Sequence, residues 1–402
     1  MDTITQEWAP TDAPSAGAPL GERPLKIQFT GSGSEYFRIW IVNLLLSIVT
    51  LSLYHPWAKV RRLRYFYGNT LVDGHALDFH GNPLKMLRGY ILVGVLVACY
   101  SVAGQFSRGA AVVAVVIFAV VFPALLRASM QFRLANTSWR GLRFRFSGSL
   151  AGAYRAMLPL FLPTLLFAIM GMGLTDPRHP PSWYFKAFGW ITLLAFVLSP
   201  LVWWNFKRYQ HNHYGLGQWE TRLTIGPGSM YGLTFKVLGV MLLSTVAVIV
   251  LAAMVAGVVM VSLGMGHDFS KEAFSGNRAL MSMVFGLIGL AVYLFALIVP
   301  VPYSISRTQN LIWTNTSCNE LRFDSKLALL PLTGLTVKNW LLMVLTLGLY
   351  YPFAKVAFYR MRVESVTPQL SGDLDRLQAQ AAAAGDASGD AAGDFFGIDI
   401  GL

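Results

Sequence analysis

Six stretches of the chain, 89–106, 110–126, 154–175, 184–204, 235–265 and 280–304, are apolar over about the length a helix needs to cross a bilayer. Inside lipid every backbone N–H and C=O must be satisfied within the segment, which makes each of these runs a helix. The fifth is long and glycine-rich and is expected to tilt or to extend past the hydrocarbon. Of 402 residues, 54% are hydrophobic and 13% are charged, against about 25% charged in soluble domains. Two further segments, 37–54 and 335–353, are shorter and more polar. Ile39 to Tyr54 as a helix would be about 24 Å long, short for a core about 30 Å thick. The expectation is an all-α polytopic membrane protein with about eight apolar helical segments, six clear spans and two shorter terminal ones.

The two short segments carry a repeat. Asn43 to Val60 (NLLLSIVTLSLYHPWAKV) and Asn339 to Val356 (NWLLMVLTLGLYYPFAKV) are identical at 11 of 18 positions without a gap. A second spacing recurs: Pro56, Pro123 and Pro302 stand 13 residues before Asn69, Asn136 and Asn315, and each Asn is followed by Thr. "NTLVDGHALDFHG", "NTSWRGLRFRFSG" and "NTSCNELRFDS" follow. "GLGQWETRLTIGPG", from Gly215 and 15 residues after Pro200, reads as a worn copy, and Pro352 holds the same place in the last unit. The chain thus reads as about five copies of one internal repeat: an apolar helix, a proline, a basic-aromatic stretch and a polar-apolar alternation. The prolines are expected to bend or stop their helices. The alternations, with Asp73-Gly74 or Arg140-Gly141 at their centres, read as β-hairpins near 69–81, 136–148, 216–226 and 314–325. "LKIQFTG" (Leu25 to Gly31) ends in Phe-x-Gly like two of them. Lone hairpins are marginal, so these are expected to pair into a small β-layer outside the hydrocarbon.

Charge orients the layer. The connectors 59–88, 127–155, 207–236 and 305–338 hold 20 basic and 5 acidic residues, and 104–110, 176–186 and 266–279 hold 5 and 3. The positive-inside rule puts the four long connectors, with their hairpins, in the cytoplasm. The net charge of +12 is therefore read as topology, with no nucleic-acid partner. Lys355, Arg360 and Arg362 argue that the last unit also ends inside. If 37–54 and 335–353 are re-entrant or lie on the surface, both tails are cytoplasmic. Residues 1–24 and 366–402 read as disordered tails around a repeat-built domain spanning 25–365, and residues 1–24 lack the pattern of a signal peptide.

The candidate functional residues fall in two sets. Pro56, Trp57, Lys59, Arg61, Arg62, Pro352 and Lys355 form a basic-aromatic collar suited to the interface, where the expected partner is the bilayer itself, with anionic lipid at the cytoplasmic face. Lys59 and Lys355 are expected at matching surface positions, just past turns that stop two short helices. Asn43, Thr50, Tyr54, Asn339, Thr346 and Tyr350 are polar groups inside the short segments. The two asparagines read as helix–helix hydrogen-bonding groups.

"FTGSGSEYFRIWIVNLLLSIVTLSLYHPWAKVRRLRYFYGNTLVDGHALDFHG" resembles the signature of the YjgN-like family of bacterial inner-membrane proteins. The resemblance covers roughly 25–365. Ser52-Leu53 and His55 depart from the family's phrase. It implies an integral inner-membrane location and brings no established activity or catalytic residues.

No catalytic, cofactor or metal site is expected. "GSGSEY" is not a dinucleotide fingerprint and no HExxH is present. His211 and His213 read as a surface pair, His75 and His80 do not converge, and Cys99 and Cys318 read as free thiols. The span centres lack ionisable groups, which argues against proton-coupled antiport. The expected function is non-enzymatic: transport or handling of a small or amphipathic solute or lipid. The alternative is a membrane scaffold or envelope-assembly protein docking a partner on its cytoplasmic face.

Overall fold

The computed structural model describes residues 23–262 and 295–372, apart from Thr175, Pro177, Arg178 and Asn319, together with four isolated positions between Gly286 and Tyr293. The expected tails lie almost wholly outside these residues, as do the connector 266–279 and part of the segment 280–304. The helices are α1 (Gly33–Val49), α2 (His55–Gly68), α3 (Pro83–Phe106), α4 (Arg108–Ala135), α5 (Leu150–Met157), α6 (Leu162–Met172), α7 (Ser182–His211), α8 (Pro227–Ser262), α9 (Pro300–Thr314), α10 (Leu329–Leu345) and α11 (Tyr351–Glu364). Segments within α3, α4, α7 and α8 are long and apolar enough to cross a membrane. The fifth candidate is broken: α5 and α6 meet at 52° around the tight turn Leu158–Leu160. The described residues thus hold four or five candidate spans.

The short segments break where the repeat is most alike. α1 ends at Val49, and Leu51 and Ser52 take left-handed φ of 48° and 70°. α10 ends at Leu345, and Leu347 and Gly348 do the same at 51° and 89°. Thr50 Oγ1 donates to Leu46 O at 2.7 Å and accepts from Tyr54 N at 3.0 Å; Thr346 Oγ1 does so with Leu342 O and Tyr350 N at 2.6 and 3.0 Å. Each threonine thus ties the end of one helix to the start of the next. Pro56 and Pro352 then lie in the first turn of α2 and α11, where a missing N–H costs nothing. This corrects the expectation that these prolines stop a helix: they open one. Pro123 and Pro200 lie inside unbroken helices.

The strands are β1 (Arg23–Pro24), β2 (Ile27–Phe29), β3 (Thr70–Val72), β4 (His75–Phe79), β5 (Thr137–Trp139), β6 (Leu142–Phe146), β7 (Tyr214–Leu216), β8 (Trp219–Glu220), β9 (Arg222–Leu223), β10 (Thr316–Ser317), β11 (Leu321–Ser325) and β12 (Val366–Leu370). The expected hairpins are present. Asp73-Gly74 and Arg140-Gly141 turn two of them with positive φ at both residues, the backbone that matches strand twist. All pairings are antiparallel, in the orders β2-β3-β4-β5-β6-β7-β8 and β1-β12-β11-β10-β9. β1 and β2 are halves of one strand bent at Leu25-Lys26, and β8 and β9 are halves of another bent at Thr221. Each half pairs into a different sheet, so the two sheets close on one another as a ring of ten strands. Closure leaves no unpaired edge. Leu25, Trp139 and Leu370 fill its middle with Val72, Leu77, Phe144, Leu216, Trp219 and Leu321 packed around them.

Two boundaries are corrected. Val366–Leu370, expected in the tail, is the strand β12, and Arg23-Pro24, expected in the other tail, is β1. Arg23 and Pro24 pair antiparallel with Leu370 and Gln369, and Leu25 N donates to Pro368 O at 2.7 Å, so these two distant segments lie side by side as neighbouring strands. The same junction recurs five times: Thr30 N donates to Asn69 O, His80 N to Asn136 O, Ser147 N to His213 O, Thr224 N to Asn315 O and Lys326 N to Ser365 O, at 2.8–3.1 Å. His213, not Gly215, fills the asparagine position 13 residues after Pro200. Its Nδ1 lies 2.7 Å from Tyr209 O, as the Asn69, Asn136 and Asn315 amides bond the carbonyl four residues back. Phe-x-Gly also has a physical cause. A Cβ on Gly81 or Gly148 would collide with the ring of Phe79 or Phe146, folded back over the glycine.

Candidate functional site

Counting from each proline places a side chain. The residues seven positions on are Leu63, Met130, Lys207, Gln309 and Tyr359, and those ten on are Phe66, Arg133, Gln210, Ile312 and Arg362. Positions three or four apart share a helix face. After Pro200, Pro302 and Pro352 these positions hold Lys207 and Gln210, Gln309 and Ile312, and Tyr359 and Arg362, and all but Gln210 line two cavities. One, of about 380 Å³, lies between α7 and α9 and is lined by Trp203, Lys207, His211, Gln309 and Trp313 among others, with Arg362 reaching in from α11. The other, of about 530 Å³, lies between α9 and α11 and is walled by Phe323, Phe358 and Tyr359, with Gln309, Trp313 and Arg362 shared. The shared residues make the two cavities one chamber with a polar partition. Thr316, Val366 and the rest of the β ring lie at its foot.

Gln309, 5% exposed, fixes the partition. Its Nε2 donates to Arg362 O and Ser365 Oγ, both at 2.9 Å, and its Oε1 accepts from Arg362 Nε at 2.7 Å. Among the described residues no other acceptor takes an Arg362 N–H. Arg362 is exposed, and cavity wall is part of that surface. The protein around it still lowers its pKa by desolvation, and burial raises that of the Tyr359 phenol. Lys207 is half-buried. Its Nζ donates to Gln210 Oε1 at 3.0 Å and stands 4.8 Å from the centre of the Trp203 ring. An ammonium has three donors, so Lys207 keeps donors in reserve. The charges of Arg362 and Arg133 both bear on Lys207, and no carboxylate lines either cavity. His211 is 5% exposed, bonded through Nδ1 to Thr316 Oγ1 at 3.1 Å and packed edge-on against Trp313. This corrects the reading of His211 and His213 as a surface pair.

A third cavity, of about 600 Å³, lies between α6 and α7 and is lined almost wholly by Leu, Ile, Val, Ala and Pro, with Trp203 on its border with the chamber. The larger groove of about 720 Å³ between α8 and α9 is flanked by Lys236 and Arg307, which are both exposed.

The residues singled out from sequence lie elsewhere, except Lys355, which lines the second cavity. Thr50, Tyr54, Thr346 and Tyr350 build the two helix breaks, with Tyr54 stacked on Trp57 and Tyr350 on Phe353. Asn43 and Asn339 are buried; Asn339 Nδ2 donates to Ala354 O at 3.5 Å, while among the described residues Oδ1 of both lacks a partner. Lys59 is 7% exposed, whereas Lys355 is half-exposed and bonds the Tyr351 hydroxyl at 3.1 Å. Arg61 is exposed, Arg62 half-buried, and Pro56 and Pro352 buried. Sequence reasoning missed Lys207, Gln309 and Trp203 and took Arg362 as a topology charge. The available signal was the offset of seven and ten residues from each proline.

The chain is 24% identical over 366 residues to the inner membrane protein YjgN of Salmonella typhimurium strain LT2, covering 87% of this chain and 89% of that one. It is 23% identical over 372 residues to the inner membrane protein YjgN of Escherichia coli strain K12, with the same coverage of each. A shorter match, 30% identical over 148 residues and 36% of each chain, links it to the inner membrane protein YjgN of Escherichia coli O157:H7. No solved structure matches the chain. The model of the bacterial family of unknown function DUF898 matches residues 24–395, and the chain belongs to that family.

Proposed function

We propose that this protein is a multi-pass protein of the bacterial inner membrane that handles an amphipathic solute or lipid in the chamber between its post-proline helices. The observation that carries the reading is the chamber itself: the half-buried Lys207, the exposed Arg362 and aromatic rings around a cavity that adjoins an apolar groove, with the packed middle of the β ring at its foot. A plugged foot favours lateral loading and release over a straight pore. The reading is non-enzymatic: the solute is moved or held, not converted. We further propose that the fold is five duplicated units, with the fifth pair of strands assembled from Arg23-Pro24 and Val366–Leu370. The recurrence of one hydrogen-bond junction five times supports this. With the β ring on the cytoplasmic side, the side that the excess of basic residues in the long connectors supports, the chamber opens near the inner leaflet. The names of the relatives support the inner membrane as the location.

The test is mass spectrometry of the full chain extracted in native membrane discs. A stoichiometric small molecule or one enriched lipid is expected. A stoichiometric protein without such a molecule would turn the reading toward a scaffold.

A further inference from the structure

We propose that the occupant of the chamber is an anionic glycerophospholipid, its acidic head held between Lys207 and Arg362 and an acyl chain lying in the apolar groove beyond Trp203. This rests on the solute-handling reading above and names its substrate class. Three observations converge on it.

The first is charge. Lys207 and Arg362 line the same cavity, and among the described residues its walls supply no carboxylate. Like charges held together where water is partly excluded repel strongly, and an anion between them removes that repulsion. The second is hydrogen-bonding capacity. Arg362 is oriented by Gln309 through Nε alone, and Lys207 commits one donor to Gln210. A fork of guanidinium donors beside an ammonium suits the oxygens of a phosphate diester. The third is the groove. Trp203 lines both the cationic cavity and the apolar one, so a head at Lys207 stands at the mouth of the groove. The bend of 52° between α5 and α6 shapes the groove, and Leu162, Leu166 and Leu194 leave it open on the outer surface of the helices. A water-soluble phosphate would leave the groove unused. A zwitterionic lipid would bring its own cation beside Lys207 and Arg362.

The experiment uses the full chain in discs of equal phosphatidylglycerol and phosphatidylethanolamine, with retained lipid read by native mass spectrometry. Phosphatidylglycerol is expected to be retained about tenfold over its bulk ratio, the size of one charge-assisted contact. Lys207→Gln with Arg362→Gln is expected to abolish the preference, and Lys207→Arg with Arg362→Lys to keep it. Ala195→Trp, which fills the groove, is expected to lower retention with the cations intact. If the double glutamine variant does not fold, Lys207→Gln alone carries the same expectation, since it removes one hydrogen bond. A retained ratio equal to bulk overturns the proposal, as does displacement of the lipid by inorganic phosphate. Stoichiometric retention of phosphatidylethanolamine or of a neutral solute overturns it and leaves the handling reading standing. Retention of nothing brings down both.

Discussion

The first and last helix pairs, α1 with α2 and α10 with α11, share 11 of 18 residues around their breaks and reproduce each other's hydrogen bonds. Their lysines nevertheless differ. Lys59 is buried and Lys355 half-exposed. The cause is the neighbourhood. α2 is covered by α3, and His55 stacks on Tyr90 at 5.5 Å. Among the described residues no helix follows α11, and Lys355 rests instead over Tyr351, the residue that replaces His55. A repeated phrase fixes backbone and caps, while burial comes from what packs on the unit from outside. The two pairs also touch: α1 packs against α11, and Arg360 donates to Gly31 O at 2.7 Å.

The largest effect is expected from breaking that contact. A Cβ at Gly33 would fall on the Phe353 ring, so Gly33→Val should cost about 1–3 kcal/mol by overpacking, read as a lowered midpoint of thermal unfolding. An unchanged midpoint would mean that the first and last pairs are not packed as described. Next is the second break. Gly348 holds φ of 89°, and Gly348→Ala should cost about 1–2 kcal/mol. The staples come third: Thr50→Val and Thr346→Val should each cost about 1 kcal/mol, the worth of a hydrogen bond. Unequal losses in the same unfolding assay would show that the two breaks are not equivalent. The smallest is a gain. Ser52 holds φ of 70° where its counterpart is glycine, so Ser52→Gly should stabilise by a few tenths of a kcal/mol, strain relief partly offset by chain entropy. Reactivity separates the lysines directly. With Cys99 and Cys318 removed, Lys355→Cys in purified protein should react with a polar maleimide faster than Lys59→Cys, and equal rates would erase the difference in burial.

Much of the frame was legible in the sequence. Apolar length marked the helices, Asp73-Gly74 and Arg140-Gly141 marked the turns, and the asparagines 13 residues after Pro56, Pro123 and Pro302 marked where a helix gives way to a strand. The prolines were misread because their effect depends on position in the helix: in a first turn they start it. His213 was overlooked because its ring does the work of an asparagine amide, a likeness of geometry and not of letters. The pairing of Arg23 and Pro24 with Leu370 and Gln369 was hidden by distance along the chain. Lys207, Gln309 and Arg362 stayed invisible as a set because they come from three helices, α7, α9 and α11, far apart in the chain and meet only once those helices stand side by side.

The strand that closes the ring is made last. Until Leu370 has left the ribosome, β11 and the strand from Arg23 to Phe29 each present an unpaired edge, and the ring stays open. A chain cut before Val366 would keep both edges. Conversely, because Arg23 lies opposite Leu370, a short turn such as Asp-Gly could join them. New ends could then be cut at Asp73-Gly74, giving a circular permutant with the same ring and a different order of birth.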